Sequence, residues 1–263
     1  RSVLYPERRL RPIFPRSDLE RVCRGLGIDL LVMEPFTREF AGVSPADFLA
    51  RWINGPFHPR KIVVGYDFSF GSQRQGSSEI LQKWGAENSV AIEVLSPIRV
   101  DGEIVSSSRI RDAVIAGDVE RAAKFLGRPF YISGEVRRGA GRGRKISLPT
   151  ANLTSPSEIV PRRGVYAAWA SVGGHRYRAA VNVGFNPTFA SEKNGGVDSL
   201  SVEAHLIGYQ PSDAKELYGQ SLCLEFVARV RDEKKFSSAA ELVAQIQHDI
   251  KVIDDIMKLE GGQ

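Results

Sequence analysis

The stretch that most constrains this chain is GVYAAWASV-GG-HRYRAAVNV, residues 164–183. Two strand-like runs rich in β-branched and aromatic residues flank a Gly-Gly pair, the composition of a two-residue hairpin turn. An antiparallel sheet is therefore required here. SLSVEAHLI (199–207) and SLCLEFVARV (221–230) alternate with period two and add strands, and SSAAELVAQIQHDIKVIDDIMKL (237–259) is an amphipathic helix opened by a serine cap. Residues 128–263 thus predict a compact β-barrel with a C-terminal helix.

The first half has a different rhythm. SDLERVCRGLG carries a capping box from Ser17 to Glu20, and SPADFLARWIN has Ser44 as cap with Pro45 at the first helical position. DLLVM reads as a short buried strand and KIVVG and VAIEVL as further strands, with SSEILQKWGAEN, SSSRIRDAVIAG and DVERAAKFLG as helices. Strand and helix in alternation predict a parallel, doubly wound α/β sheet over residues 1–127. The fold class expected is α/β plus β, with the boundary near residue 127.

Charge is informative by its distribution. The 263 residues carry a net +5, with 18 basic and 16 acidic residues in 1–127 (+2) and 18 and 15 in 128–263 (+3). Neither half is strongly basic; the basic windows are the first sixteen residues and the 137–145 loop, a pattern suiting a local phosphate site better than a polyanion track. Cys23 and Cys223 lack metal-ligand spacing and suggest a reducing compartment without a zinc site. No apolar run is long enough to span a bilayer, and the basic start lacks the apolar core of a signal peptide, so a cytoplasmic protein with no membrane partner is expected.

Several segments carry candidate chemistry. GEVRRGAGRGRK, from Gly134 to Lys145 and including Gly141, Arg142 and Gly143, combines glycines that admit close phosphate approach with charge-neutralising arginines; a solvated hairpin tip or an RNA contact is the ordinary alternative. In PTAN, Thr150 and Asn152 share a face of an extended strand and offer two neutral oxygens to a hard cation, although a turn has the same composition. NVGFNPTF (182–189) places Asn182, Gly184, Pro187, Thr188 and Phe189 where a backbone bends around a planar ligand or simply ends a strand. In SVEAHL, Glu203 and His205 face the side opposite Val202 and Ala204, a place for a general base or a plain solvent face. VSSSRIR puts Ser107, Ser108 and Arg111 at a helix N-terminus, where phosphates bind and where serine also merely caps. GYDFSFG, with Asp67 and Phe68, follows a strand end where doubly wound sheets hold ligands.

The order of these motifs resembles the bifunctional riboflavin kinase/FAD synthetase family of bacteria across essentially the whole chain, most specifically from Gly134 to Asp249. The resemblance implies a nucleotidyltransferase-like (Rossmann-like) domain followed by a six-stranded, Greek-key-like flavokinase barrel. It implies phosphorylation of riboflavin to FMN, with Glu203 as base, Thr150 and Asn152 holding Mg²⁺ and the phosphates of ATP, and Gly134, Gly141, Arg142, Gly143 and His205 on ATP. Asn182, Gly184, Pro187, Thr188 and Phe189 would meet the flavin, and Asp67, Phe68, Ser107, Ser108 and Arg111 would serve ATP and flavin in adenylylation of FMN to FAD. The partners implied are riboflavin, FMN, FAD and ATP/ADP, without nucleic acid; a module contacting RNA through the glycine–arginine loop is the competing class.

There are departures from the family pattern. Ser147 and Leu148 stand before PTAN in place of glycine and an aromatic, and the terminal helix lacks an arginine after HDI. The family's first motif, a G-x-F-D-G-x-H-x-G-H turn, is not among these residues. The expectation is of a chain lacking at least one βα unit, about 30 residues or more, or of a degenerate first half, with FAD synthesis impaired.

Overall fold

The computed structural model describes residues 12–137, 150–153, 159–185, 200–209 and 217–260. These form two compact units, one of residues 20–105 and the other of residues 12–19 with 106 onward.

The first unit is a βα arrangement. Helix α1 (Arg16–Gly25) leads toward it, followed by α2 (Arg38–Ala41) with Thr37 as cap. Helix α3 (Pro45–Asp47) continues through a π-helical turn, Phe48–Asn54, into α4 (Gly55–Phe57). Ser44 caps this run as its sequence predicts, its hydroxyl accepting the Asp47 N–H at 3.1 Å. Strands β1 (Lys61–Gly65) and β2 (Ala91–Leu95) pair in parallel from Lys61↔Ala91 to Gly65↔Leu95. Helix α5 (Ser78–Glu87) connects them, and Gly85 lets it lie close: a Cβ there would stand 2.5 Å from Ile92 Cγ1. Strands β3 (Arg99–Val100) and β4 (Glu103–Ile104) make a short hairpin. Leu49, Val64, Phe70 and Leu81 form this unit's core.

Two expectations are corrected. DLLVM (29–33) is not a strand, and Leu30 and Val32 are 68% and 57% exposed. A strand exists only through its ladder, and among the described residues this segment has no strand beside it. Ser17 is not the cap of the first helix, which already includes Arg16; the Pro15 carbonyl accepts the Asp18 N–H at 3.0 Å and closes the first turn one residue earlier.

The second unit opens with α6 (Ser107–Ala116) and α7 (Val119–Leu126), capped by Ser106 and Asp118. A closed antiparallel barrel follows: β5 (Phe130–Arg137), β6 (Ala151–Leu153), β7 (Gly164–Val172), β8 (His175–Phe185), β9 (Leu200–Leu206) and β10 (Ser221–Arg231), in the spatial order β10-β5-β6-β9-β8-β7. β6 neighbours β9 instead of β7, a Greek-key crossing. The interior holds Phe130, Ile132, Val136, Val181, Val202 and Leu224, with Ala168 and Ala170 on β7 keeping large side chains from colliding. Ala113, Val114, Val119 and Ala122 join this core, so α6 and α7 pack with the barrel although they read as part of the α/β half. Helix α8 (Ala239–Glu260) lies on the outside, where Ile253 and Met257 bury against Ala167.

The Gly-Gly hairpin forms as its composition requires. Gly173 and Gly174 have φ of 57° and 80° between the paired residues Val172 and His175. Space beside Gly174 is open, so Gly174→Ala changes only backbone energetics. We expect it to lower barrel stability by about 1–2 kcal/mol, read as a lower urea midpoint at unchanged slope. An unchanged midpoint would contradict the left-handed turn.

Candidate active site

Strand alternation divides the barrel residues between its two faces. On β9, Val202 and Ala204 are buried in the core, which turns Glu203 and His205 outward as alternation predicts. On β6, Ala151 and Leu153 are buried, which turns Asn152 outward, and the half-buried Thr150 stands just before the strand. On β8, Val181 and Val183 are buried, which turns Asn182 and Gly184 outward.

Register then gathers these residues. Asn152 pairs with Glu203, and Glu203 pairs with Asn182, so one carboxylate stands between two amides on three neighbouring strands. Residues directly opposite in such ladders have Cβ atoms about 5 Å apart. His205 flanks the row on β9, Thr150 immediately precedes β6, and Gly184 extends the row along β8 opposite Ser201. Glu203, His205, Asn152 and Asn182 are all half-buried, partly shielded from water yet open to a ligand.

This donor set fits a hard cation. Thr150 and Asn152 offer a hydroxyl and an amide oxygen, two ligands of a shell that phosphate and water oxygens complete. Among the described residues no cluster of three His, Cys, Asp or Glu provides an all-protein cage.

Gly134 stays apart. It shares the phase of the buried Ile132 and Val136 and pairs with Leu222 on β10, away from the row. Gly141, Arg142, Gly143, Pro187, Thr188 and Phe189 lie outside the described residues.

Of the residues that the resemblance implies for adenylylation, Asp67 and Phe68 belong to the first unit and Ser107, Ser108 and Arg111 to the second. Asp67 is exposed in the turn after β1. Phe68 stacks on Phe70, centroids 5.5 Å apart, and packs against the unit's core. Ser107 and Ser108 are exposed in the first turn of α6, and Arg111 Nη1 donates to the Ser107 carbonyl at 3.1 Å.

A polar brace that sequence reading missed holds the turn after β10. Asp249 of α8 is buried, and Arg231 grips it through Nε at 2.9 Å to Oδ1 and Nη2 at 2.7 Å to Oδ2, with Gln245 Nε2 at 2.9 Å from Oδ1. Arg231 Nη1 also donates to the Asp232 carbonyl at 2.9 Å. Arg229 Nη2 lies 2.7 Å from Asp232 Oδ1, and this hydrogen bond holds the Asp232 carboxyl below the usual carboxylate range. Two breaks in the β10–β7 register, at Phe226/Ala228 and Arg229/Arg231, aim these arginines.

Known proteins share both halves. A family model described as riboflavin kinase matches residues 126–257, and one described as FAD synthetase matches residues 1–109. The chain belongs to the bifunctional riboflavin kinase/FAD synthetase family. The bifunctional riboflavin kinase/FMN adenylyltransferase of Bacillus subtilis is 34% identical over 90% of this chain and 72% of its own length. Those of Pseudomonas fluorescens (31%, covering 86% and 70%) and Escherichia coli K12 (32%, covering 85% and 68%) are also similar. A solved structure described as a macrolide-efflux protein from Streptococcus pneumoniae matches with a TM-score of 0.82 at 30% identity, over 92% of this chain and 75% of that one. Among the described residues, no helix is long and apolar enough to cross a membrane. Family membership places the chain in flavin cofactor biosynthesis, and the two matched segments part between residues 109 and 126, within the α6–α7 pair.

Proposed function

We propose that the outer barrel face bearing Thr150, Asn152, Asn182, Glu203 and His205 transfers the γ-phosphoryl group of ATP to the ribityl 5′-hydroxyl of riboflavin, yielding FMN and ADP. The observation that carries this reading is the register Asn152–Glu203–Asn182. Glu203 accepts the hydroxyl proton as the alcohol oxygen bonds to phosphorus, while the bond from phosphorus to the bridging oxygen of ADP breaks. Asn152 and Asn182 hold the carboxylate and the alcohol in line, the positioning on which phosphoryl transfer chiefly depends. His205 serves the phosphates. Thr150 and Asn152 are the residues that would hold Mg²⁺, which when bound neutralises charge on the phosphate oxygens.

For the second activity of the family, adenylylation of FMN to FAD, the residues of this chain carry only part of the motif set, and impaired FAD synthesis is expected. Ser107, Ser108 and Arg111 supply hydroxyls, free amides and a guanidinium for the nucleotide phosphates.

The metal assignment is tested by Thr150→Val and Asn152→Ala. Valine keeps the branched shape, so only an oxygen is lost. Each variant should need about tenfold or more Mg²⁺ for half-maximal FMN formation, with circular dichroism unchanged. A wild-type Mg²⁺ dependence in both would return the PTAN segment to a turn.

A further inference from the structure

Gly184 has no left-handed φ to explain it. Its need is steric. A Cβ at this position would stand 2.6 Å from Glu233 Oε1 and 3.0 Å from Asn182 Nδ2. The Glu233 carboxylate thus fills the place that a side chain at 184 would take, next to Asn182 and on the face of Glu203. Glu233 also lines an open cleft of about 530 Å³ whose other walls include Ile115, Val160 and Arg162.

The turn carrying Glu233 is held at the residue before it, while among the described residues its carboxylate is not engaged. Asp232, immediately before it, is held by its carbonyl to Arg231 and by its carboxylate to Arg229. Arg231 is in turn locked on the buried Asp249. Among the described residues, Glu233 itself makes no ion pair or hydrogen bond and is exposed. A carboxylate beside an amide, unpaired among the described residues and on a turn whose neighbouring residue is held, is a hydrogen-bond acceptor suited to hydroxyl donors.

We propose that Glu233 is a specificity-determining residue of the kinase face: it accepts hydrogen bonds from the secondary hydroxyls of the substrate's polyol chain, selecting a sugar-alcohol side chain over a simple one. The inference rests on the kinase reading and deepens it. Glu203 acts on the hydroxyl that reacts, and Glu233 reads the hydroxyls that do not. Gly184 is the residue that admits it.

The test compares riboflavin with a flavin whose N10 chain is 5-hydroxypentyl, which keeps the terminal hydroxyl and lacks the secondary ones. Wild-type chain should favour riboflavin in kcat/KM. Glu233→Gln should reduce that preference about tenfold, chiefly through KM for riboflavin, as expected for a hydrogen bond to a charged group. Gly184→Ala, whose Cβ displaces the carboxylate, should reduce it likewise. FMN formation by wild type and Glu233→Gln with the same preference would overturn the role of Glu233 and leave the kinase reading standing. A lowered rate with both flavins equally would also overturn it, because a structural role moves both. Absence of turnover by the wild type would contradict the kinase reading itself.

Discussion

Glu203→Gln is expected to lower the rate of FMN formation by about 10²–10⁴-fold, the usual contribution of a general base. Glutamine keeps the size of the side chain and its place between Asn152 and Asn182. It cannot take a proton from an alcohol. Because Val202 and Ala204 carry the packing of this strand in the barrel core, the substitution leaves the fold in place. The loss should fall on kcat, with ATP binding little changed, since an interaction made only as the proton moves contributes to the transition state. Turnover within a few fold of wild type, at unchanged thermal stability, would remove Glu203 from the chemistry.

Asp249→Ala is expected to destabilise the barrel unit by about 3–5 kcal/mol, the cost of leaving one partner of a buried ion pair alone. Removing Asp249 strips the Arg231 guanidinium of its buried acceptor and frees Gln245. The variant Arg231→Met/Asp249→Leu should recover much of that loss, since apolar side chains in place of a buried pair are often neutral or stabilising. It should not recover flavin selectivity, because Arg231 no longer ties the Asp232 carbonyl. Chemical denaturation of the three proteins checks this, and a single-variant loss below about 1 kcal/mol would show that the pair is solvated.

What was legible in the sequence followed short-range rules. Gly173-Gly174 dictated a hairpin because few other pairs take two positive φ values. Period-two alternation put Glu203 and His205 opposite Val202 and Ala204 without knowledge of any neighbour. DLLVM misled because a short apolar run has strand composition whether or not a ladder is beside it, and here Leu30 and Val32 meet solvent. The row Asn152–Glu203–Asn182 was not legible as a row, since it depends on β6 lying beside β9, a long-range pairing that no local pattern encodes. Glu233 sits in RDEKK, a segment that belongs to the family resemblance but has by composition the look of any solvated turn; its physical signal was Gly184, which read as bending the backbone around a planar ligand or ending a strand. Asp249 was hidden for a similar reason: among Gln245, Gln247 and His248 it looks exposed, and only Arg231 arriving from β10 explains its burial.

The central claim is that this barrel phosphorylates the flavin alcohol on the face where Glu203 stands between two asparagines. Its most direct measurement is incubation of the chain with riboflavin, ATP and Mg²⁺, with flavins and nucleotides separated by chromatography over time. The account predicts FMN and ADP appearing together in equal amounts, at a rate that Glu203→Gln all but removes. A folded chain that yields no FMN, or whose FMN formation is indifferent to Glu203, would contradict it.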